Sequence, residues 1–209
     1  MLTQEEWMGA LNARHGKERQ EKFSRAVVAV CGLGGLGSNV AIALARAGIG
    51  KLILIDFDRV DVTNLNRQQY KASQLGMNKT EALAQNLREI NPFIRLETRA
   101  VRISEENAQE LLQEADVVCE AFEVPEAKAM LVNFVLENMP EKYLVAGSGM
   151  AGFGSPNTIQ TRRITGRFYL CGDTVSDVND GIGLVCARVM VCAAHEAHTI
   201  LRLLANEIE

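Results

Sequence analysis

Gly32, Gly34 and Gly37 stand in the stretch VCGLGGLGSNVAIALARAGIG, between an apolar run and a helical pattern. No other feature limits the fold as strongly. Residues 26–32 (AVVAVCG) read as a buried parallel strand closed by glycine, and residues 38–50 as a helix of small residues able to lie close to a sheet. A strand, a glycine turn and a helix in that order aim backbone N–H groups and the positive helix end at one spot, where an anion is held. In this unit Gly32 permits the tight turn, Gly34 and Gly35 the close approach of a phosphate, and Gly37 the packing of the helix.

The alternation continues downstream. Strands are predicted over 51–58, 94–103, 116–122 and 141–150, and helices over 78–90, 104–115 and 125–139. Asn91-Pro92 stops the first of these helices, and Pro125 sits in the first turn of the last. Such a pattern predicts an α/β fold, Rossmann-like, with a mostly parallel sheet and helices on both faces. After residue 150 the texture changes: residues 157–170 predict antiparallel strands added at the sheet edge, and residues 181–208 one long terminal helix. Residues 1–24 predict a helical N-terminal segment, and without a linker or repeat the 209 residues read as one domain.

Composition narrows the function. A hydrophobic share of 47% is that of a globular chain, and a net charge of −4 gives no electrostatic case for nucleic acid. No apolar stretch reaches the roughly 18 residues of a membrane span, and the N-terminal residues lack the basic-then-apolar order of a signal peptide. The five cysteines (Cys31, Cys119, Cys171, Cys186, Cys192) form no C-x-x-C pair. Reduced thiols, a cytoplasmic location and no structural zinc are therefore expected.

The glycine turn alone admits NAD or another nucleotide. Asp56 ends the second strand, 19 residues beyond Gly37, where an acid binds a ribose hydroxyl pair. A second acid, Asp58, follows it. Asn64, Arg67 and Gln68 lie just beyond in TNLNRQQ, and Lys79 opens the next helix in GMNKT. Either cation alone reads most simply as a solvated surface charge. Together behind a glycine cradle they suit a triphosphate losing pyrophosphate, because charge builds on the leaving oxygens; hydride transfer does not need them.

GLGGLGSNVAIALARAGIGKLILIDFDRVDVTNLNRQQY, with GMNKT and NP downstream, resembles the superfamily of ThiF, MoeB and the ubiquitin-activating enzymes over residues 15–205. Compact ThiF-type sulfur-carrier adenylyltransferases are the most similar branch. The resemblance implies ATP and magnesium as cofactors, a homodimer, and adenylation of the C-terminal Gly-Gly of a ubiquitin-like, ThiS-like carrier in thiamine thiazole biosynthesis. It implies that Gly34, Gly35 and Gly37 hold phosphates and Asp56 the ribose, with Asn64, Arg67, Gln68 and Lys79 on the triphosphate. Where the family has a magnesium-binding Asp, this chain has Glu123, one methylene longer. Arg14 is the candidate for an arginine donated across the dimer. Residues 150–154 (MAGFG) are expected to form a mobile loop that guides the carrier tail.

Cys171 reads as a buried, inert thiol in preference to an acceptor of the activated carrier, with Asp173 beside it binding metal or shaping the turn; the other cysteines read as core. His195 and His198 read as packing or surface histidines. A MoaD-like carrier, a tRNA base or a peptide are alternative substrates. An NAD-dependent oxidoreductase and a non-catalytic nucleotide-binding module are alternatives of another class.

Overall fold

A computed structural model of the chain describes residues 2–179 and 181–207. Its seven strands are β1 (Val27–Cys31), β2 (Lys51–Ile55), β3 (Arg95–Arg99), β4 (Val117–Glu120), β5 (Tyr143–Gly147), β6 (Gln160–Arg163) and β7 (Phe168–Gly172). They form one sheet in the order β3-β2-β1-β4-β5-β7-β6. All neighbours run parallel except β6 and β7. Only β6 is thus antiparallel, since β7 joins β5 in parallel. β1 has β2 on one side and β4 on the other, so the winding reverses there and a crevice opens at the carboxyl ends of these strands.

Seven α-helices cover the sheet: α1 (Gln4–His15), α2 (Lys17–Arg25), α3 (Gly35–Arg46), α4 (Lys79–Ile90), α5 (Glu105–Leu112), α6 (Pro125–Asn138) and α7 (Cys186–Ala205). One core lies under α3, α4 and α7, with Leu44, Leu83 and Ile200 fully or almost fully buried; the other lies under α5 and α6, around Leu112 and Leu131. The apolar strands Val27–Cys31 and Lys51–Ile55 are buried on both faces, as their continuous apolar runs require.

Several boundaries differ from the sequence expectation. The N-terminal segment is two helices broken at Gly16, which takes φ +81. α3 starts at Gly35, three residues early, because the Ser38 N–H already reaches the Gly34 carbonyl. α7 begins only at Cys186, after a segment carrying Gly181 and Gly183, and ends where Asn206 turns left-handed. The expected end of that helix includes Ile208, which lies outside the described residues.

Gly32 and Gly37 fit together as one joint. Gly32 has φ +89, and a Cβ there would meet the Ala121 carbonyl oxygen at 2.8 Å. A Cβ on Gly37 would run into the Gly32 carbonyl oxygen. The helix can approach the turn this closely only with hydrogen at both positions.

Candidate nucleotide site

A cavity of about 640 Å³ lies in the crevice at the ends of β1, β2 and β4. Gly32, Gly34, Asp56, Asp58, Asn64, Arg67, Gln68, Lys79 and Glu123, separated by up to 91 positions in sequence, all line it. Gly35 and Gly37 do not. Gly37 works inside the turn, and a Cβ on Gly35 would press on Val189 at 3.0 Å and on the Arg67 stem at 3.4 Å. Gly35 therefore makes room for Arg67, and it lines a second cavity beside the first.

The turn is held from both sides. The Leu33 N–H donates to Asp56 Oδ2 at 2.6 Å, and the Tyr70 hydroxyl donates to the Leu33 carbonyl at 2.7 Å. Asp56 Oδ1 accepts the Asp58 N–H at 2.8 Å. A carboxylate has about four acceptor positions, so Asp56 can brace the turn and still take a hydroxyl. Asp58 does different work: its Oδ2 accepts from Lys79 Nζ at 2.8 Å and holds that buried ammonium at the cavity wall.

Arg67 stands differently at the cavity wall. Nη1 donates to the Thr63 carbonyl and to Asn66 Oδ1, but Arg67 has no carboxylate partner among the described residues, and its buried Nε has no hydrogen-bond partner. Gln68 Oε1 is buried and unpartnered as well. Asn64 spends its Oδ1 on the Asp61 N–H, while its amide N–H groups donate to nothing among the described residues. A buried donor or acceptor without a partner costs free energy unless something meets it, and Arg67 Nε and Gln68 Oε1 both lie beside the glycine turn. Phe57, Val101, Ile103, Phe122 and Met130 supply the cavity's apolar surface, with the Phe122 ring beside Gly32 and the Arg102 guanidinium 4.3 Å from the Phe57 ring centre.

Arg14 is not drawn into this set, and Glu123 stands only at its rim. Arg14 is exposed on α1, whose Leu11 packs at Gly48, beyond the far end of α3 from the turn. Twelve residues of α3 put about 18 Å between the two ends, so Arg14 does not reach the cavity of its own chain. Glu123 is exposed where the two cavities meet, and no group of three metal-ligating side chains occurs among the described residues. A single carboxylate suits magnesium only where phosphates and water supply the other ligands.

The second cavity, about 350 Å³, runs from Gly34, Arg67 and Glu123 past Lys128 to residues 147–151 and 176–179. The loop expected to be mobile is pinned. Arg188 donates from Nε to the Ala151 carbonyl and from Nη1 to those of Gly154 and Ser155; its Nη2 meets Asp173 Oδ2 at 2.5 Å. Asp173 Oδ1 accepts from the N–H groups of Val175 and Ser176, so this acid shapes the turn. Burial works against its charge, yet those bonds and Arg188 hold its carboxyl below the usual carboxylate range. Cys171 is fully buried, and burial, with Glu196 nearby, pushes its thiol up to about 12, which keeps it from acting as a nucleophile. Cys186 is half-buried at the head of α7 and not in the core.

Sequence reading passed over two carboxyls. Glu120 closes β4 and Glu196 sits in α7; both are fully buried. Neither oxygen of Glu196 has a hydrogen-bond partner, and burial pushes its carboxyl well above the usual range, Lys128 pulling it only partly back. A lone acid inside each apolar pattern, VVCEAF and CAAHEAHTI, was the available signal. The folded state keeps the Glu196 proton at pH values where the unfolded chain has lost it, so stability falls as pH rises above the ordinary carboxylate range. Glu196→Gln should flatten that fall between pH 5 and 8 by up to about 1.4 kcal/mol per pH unit. Urea unfolding over a pH series measures it, and an unchanged slope would mean that Glu196 ionises normally.

The profile of the ThiF family matches residues 9–207. The chain belongs to the ThiF family. It is 34% identical over 203 residues to the adenylyltransferase and sulfurtransferase UBA4 of Lodderomyces elongisporus, covering 92% of this chain and 43% of that one. It is 37% identical over 131 residues to the sulfur carrier protein adenylyltransferase of Thermus thermophilus, covering 62% and 43%. This ThiF-family chain spans less than half the length of these relatives. The fold matches the E. coli tRNA N6-threonylcarbamoyladenosine dehydratase TcdA, solved with ATP, at a TM-score of 0.87 over 99% of this chain and 98% of that one, with 24% identity.

Proposed function

We propose that this ThiF-family chain adenylates the C-terminal carboxylate of a ubiquitin-like sulfur-carrier protein with ATP. The observation that carries the proposal is Arg67, a cation with no carboxylate partner among the described residues and a buried, unpartnered Nε, standing against a glycine turn. Relatives named as adenylyltransferases of sulfur carriers support the reaction class. In this reading Gly32 and Gly34 let phosphates approach the turn, Asp56 takes the ribose, and Phe57, Ile103 and Phe122 enclose the base. A carrier carboxylate oxygen attacks the α-phosphorus; an acyl–phosphate bond forms, and the bond to the pyrophosphate oxygen breaks. Arg67, Asn64, Gln68 and Lys79 stabilise the charge that gathers on the leaving group, with Asp58 keeping Lys79 in place. No enzyme nucleophile is required, so catalysis is positioning and charge stabilisation.

Magnesium is part of the proposal. Glu123 would hold it together with phosphate oxygens and water, and the ion would neutralise phosphate charge. The second cavity would take the carrier's Gly-Gly tail. Arg14 would serve the cavity of a second copy in a homodimer, since it cannot reach its own. A ThiS-like carrier of thiamine thiazole biosynthesis is the finer reading, a MoaD-like carrier its alternative, and the location is taken as the cytoplasm. ATP–pyrophosphate exchange with a panel of purified carriers tests the reaction and its substrate. Exchange should appear with one carrier and vanish when its last glycine is removed, because the carboxylate then falls short of the α-phosphorus. Full exchange with the truncated carrier, or none with any carrier, would overturn the proposed substrate.

A further inference from the structure

On the same side of the sheet as α7, but away from the nucleotide cavity, a groove of about 400 Å³ runs between α7 and the edge strand β6. Two periodicities build it. His195, His198 and Arg202 follow the helical i, i+3, i+7 spacing along α7, and Thr161 and Arg163 alternate along β6; Tyr169 of β7, the cross-strand partner of Arg163, also lines the groove. The groove shares no lining residue with either cavity of the proposed adenylation site.

Its charge is one-sided. Both arginines are fixed by backbone carbonyls and not by acids: Arg163 donates to those of Thr165 and Gly166, and Arg202 donates twice to that of Glu207. Neither forms an ion pair with a carboxylate among the described residues, and no acid lines the groove. Two of the five N–H donors on each guanidinium are thus used for orientation, while the full positive charge remains. His195 Nδ1 lies 3.0 Å from Thr161 Oγ1, which fixes that ring as well. Tyr169 is 2% exposed, and its buried hydroxyl has no hydrogen-bond partner. Such an orphan costs free energy unless a ligand meets it.

We propose that this groove between α7 and β6, lined by Arg163, Arg202, His195, His198, Thr161 and Tyr169, binds a phosphate group. Oriented guanidiniums match a tetrahedral oxyanion, and the Tyr169 hydroxyl supplies a further donor. The phosphate is either free or carried as a monoester, whose organic part would lie along the exposed Ala194.

The chain has three histidines, and His15 sits on α1, outside the groove, which makes it an internal reference. Imidazole ¹⁵N spectra are recorded while inorganic phosphate, or phenyl phosphate, is titrated at constant ionic strength. Either probe should move His195 and His198 to saturation and leave His15 in place. Tighter binding of phenyl phosphate would assign the site to a monoester, and equal or weaker binding to free phosphate. Arg163→Gln with Arg202→Gln should weaken binding about tenfold or more, as expected for loss of charge-assisted hydrogen bonds. If that pair lowers the melting temperature, Tyr169→Phe and the exposed His198→Gln serve instead, each weakening binding severalfold. Equal movements with sodium chloride, or binding unchanged in all these variants, would overturn the site. If phosphate moves neither histidine and the arginine variants halve the sedimenting mass, the groove is an interface between two copies, and the phosphate site is overturned.

Discussion

Arg67→Ala should slow ATP–pyrophosphate exchange by about a hundredfold or more while the chain remains folded, the loss expected when a transition-state donor is removed from a preorganised site. The size follows from where the guanidinium stands. It is not spent on an acid, and Nη1 takes only the Thr63 carbonyl and the Asn66 side chain, which orient it. Lys79, by contrast, is already shared with Asp58, so its charge reaches a phosphate partly neutralised. Lys79→Ala should therefore cost less than Arg67→Ala in the same assay. Arg67→Lys keeps the charge but loses the fork and the orphaned Nε donor, and should recover only part of the rate. Stability should hardly change, because Arg67 is half-buried and in no ion pair among the described residues. Exchange at the normal rate in a folded Arg67→Ala protein would remove Arg67 from the reaction and leave a module that binds nucleotide without turning it over.

What could be read from the sequence was what is local. The glycine turn, the small-residue helix after it and the paired apolar strands are patterns within 20 to 30 residues, and the periodicities of strand and helix expose them. The crevice followed from the βαβ order. Asn64 and Lys79 were placed by their order behind the glycine turn and Glu123 by resemblance to a family, and all three line the cavity. The hidden features are pairings across the fold. Tyr70 grips Leu33 over 37 positions, Arg188 grips Ala151 over the same span, and nothing in either segment names its partner. Boundaries failed at glycines. Gly35 enters α3 where a glycine-rich turn was expected to continue, because the turn's own carbonyl at Gly34 begins the helical ladder. The groove at β6 was missed for a related reason: His195 and His198 are unremarkable on a helix until Arg163 arrives from a strand more than 30 residues earlier.

Lys128→Met should destabilise the protein by about 3–5 kcal/mol, the cost of stripping the partner from a buried charge. Lys128 Nζ donates to Glu120 Oε2 at 2.6 Å and to the Gly147 carbonyl at 2.8 Å, tying the end of β4 to the end of β5. Glu120 has no solvent contact, and its only other donor among the described residues is the Phe122 N–H at 2.7 Å from Oε1. Burial pushes the Glu120 carboxyl up, and the Lys128 ammonium and the Phe122 amide bring it only part of the way back. Without Lys128 that carboxyl must either remain charged in an apolar layer or take up a proton, and both states lie above the paired one. Glu120→Gln in the Lys128→Met background removes the stranded charge and should restore more than half of the loss. The two single variants and the double variant then form a cycle whose coupling exceeds 1 kcal/mol, as for other residues in one buried network. Urea unfolding at pH 7 reads all four proteins. A Lys128→Met protein within about 1 kcal/mol of the parent, the range of a surface ion pair, would show that Glu120 is solvated through the neighbouring cavity and that the pair contributes little to holding β4 and β5 at the site.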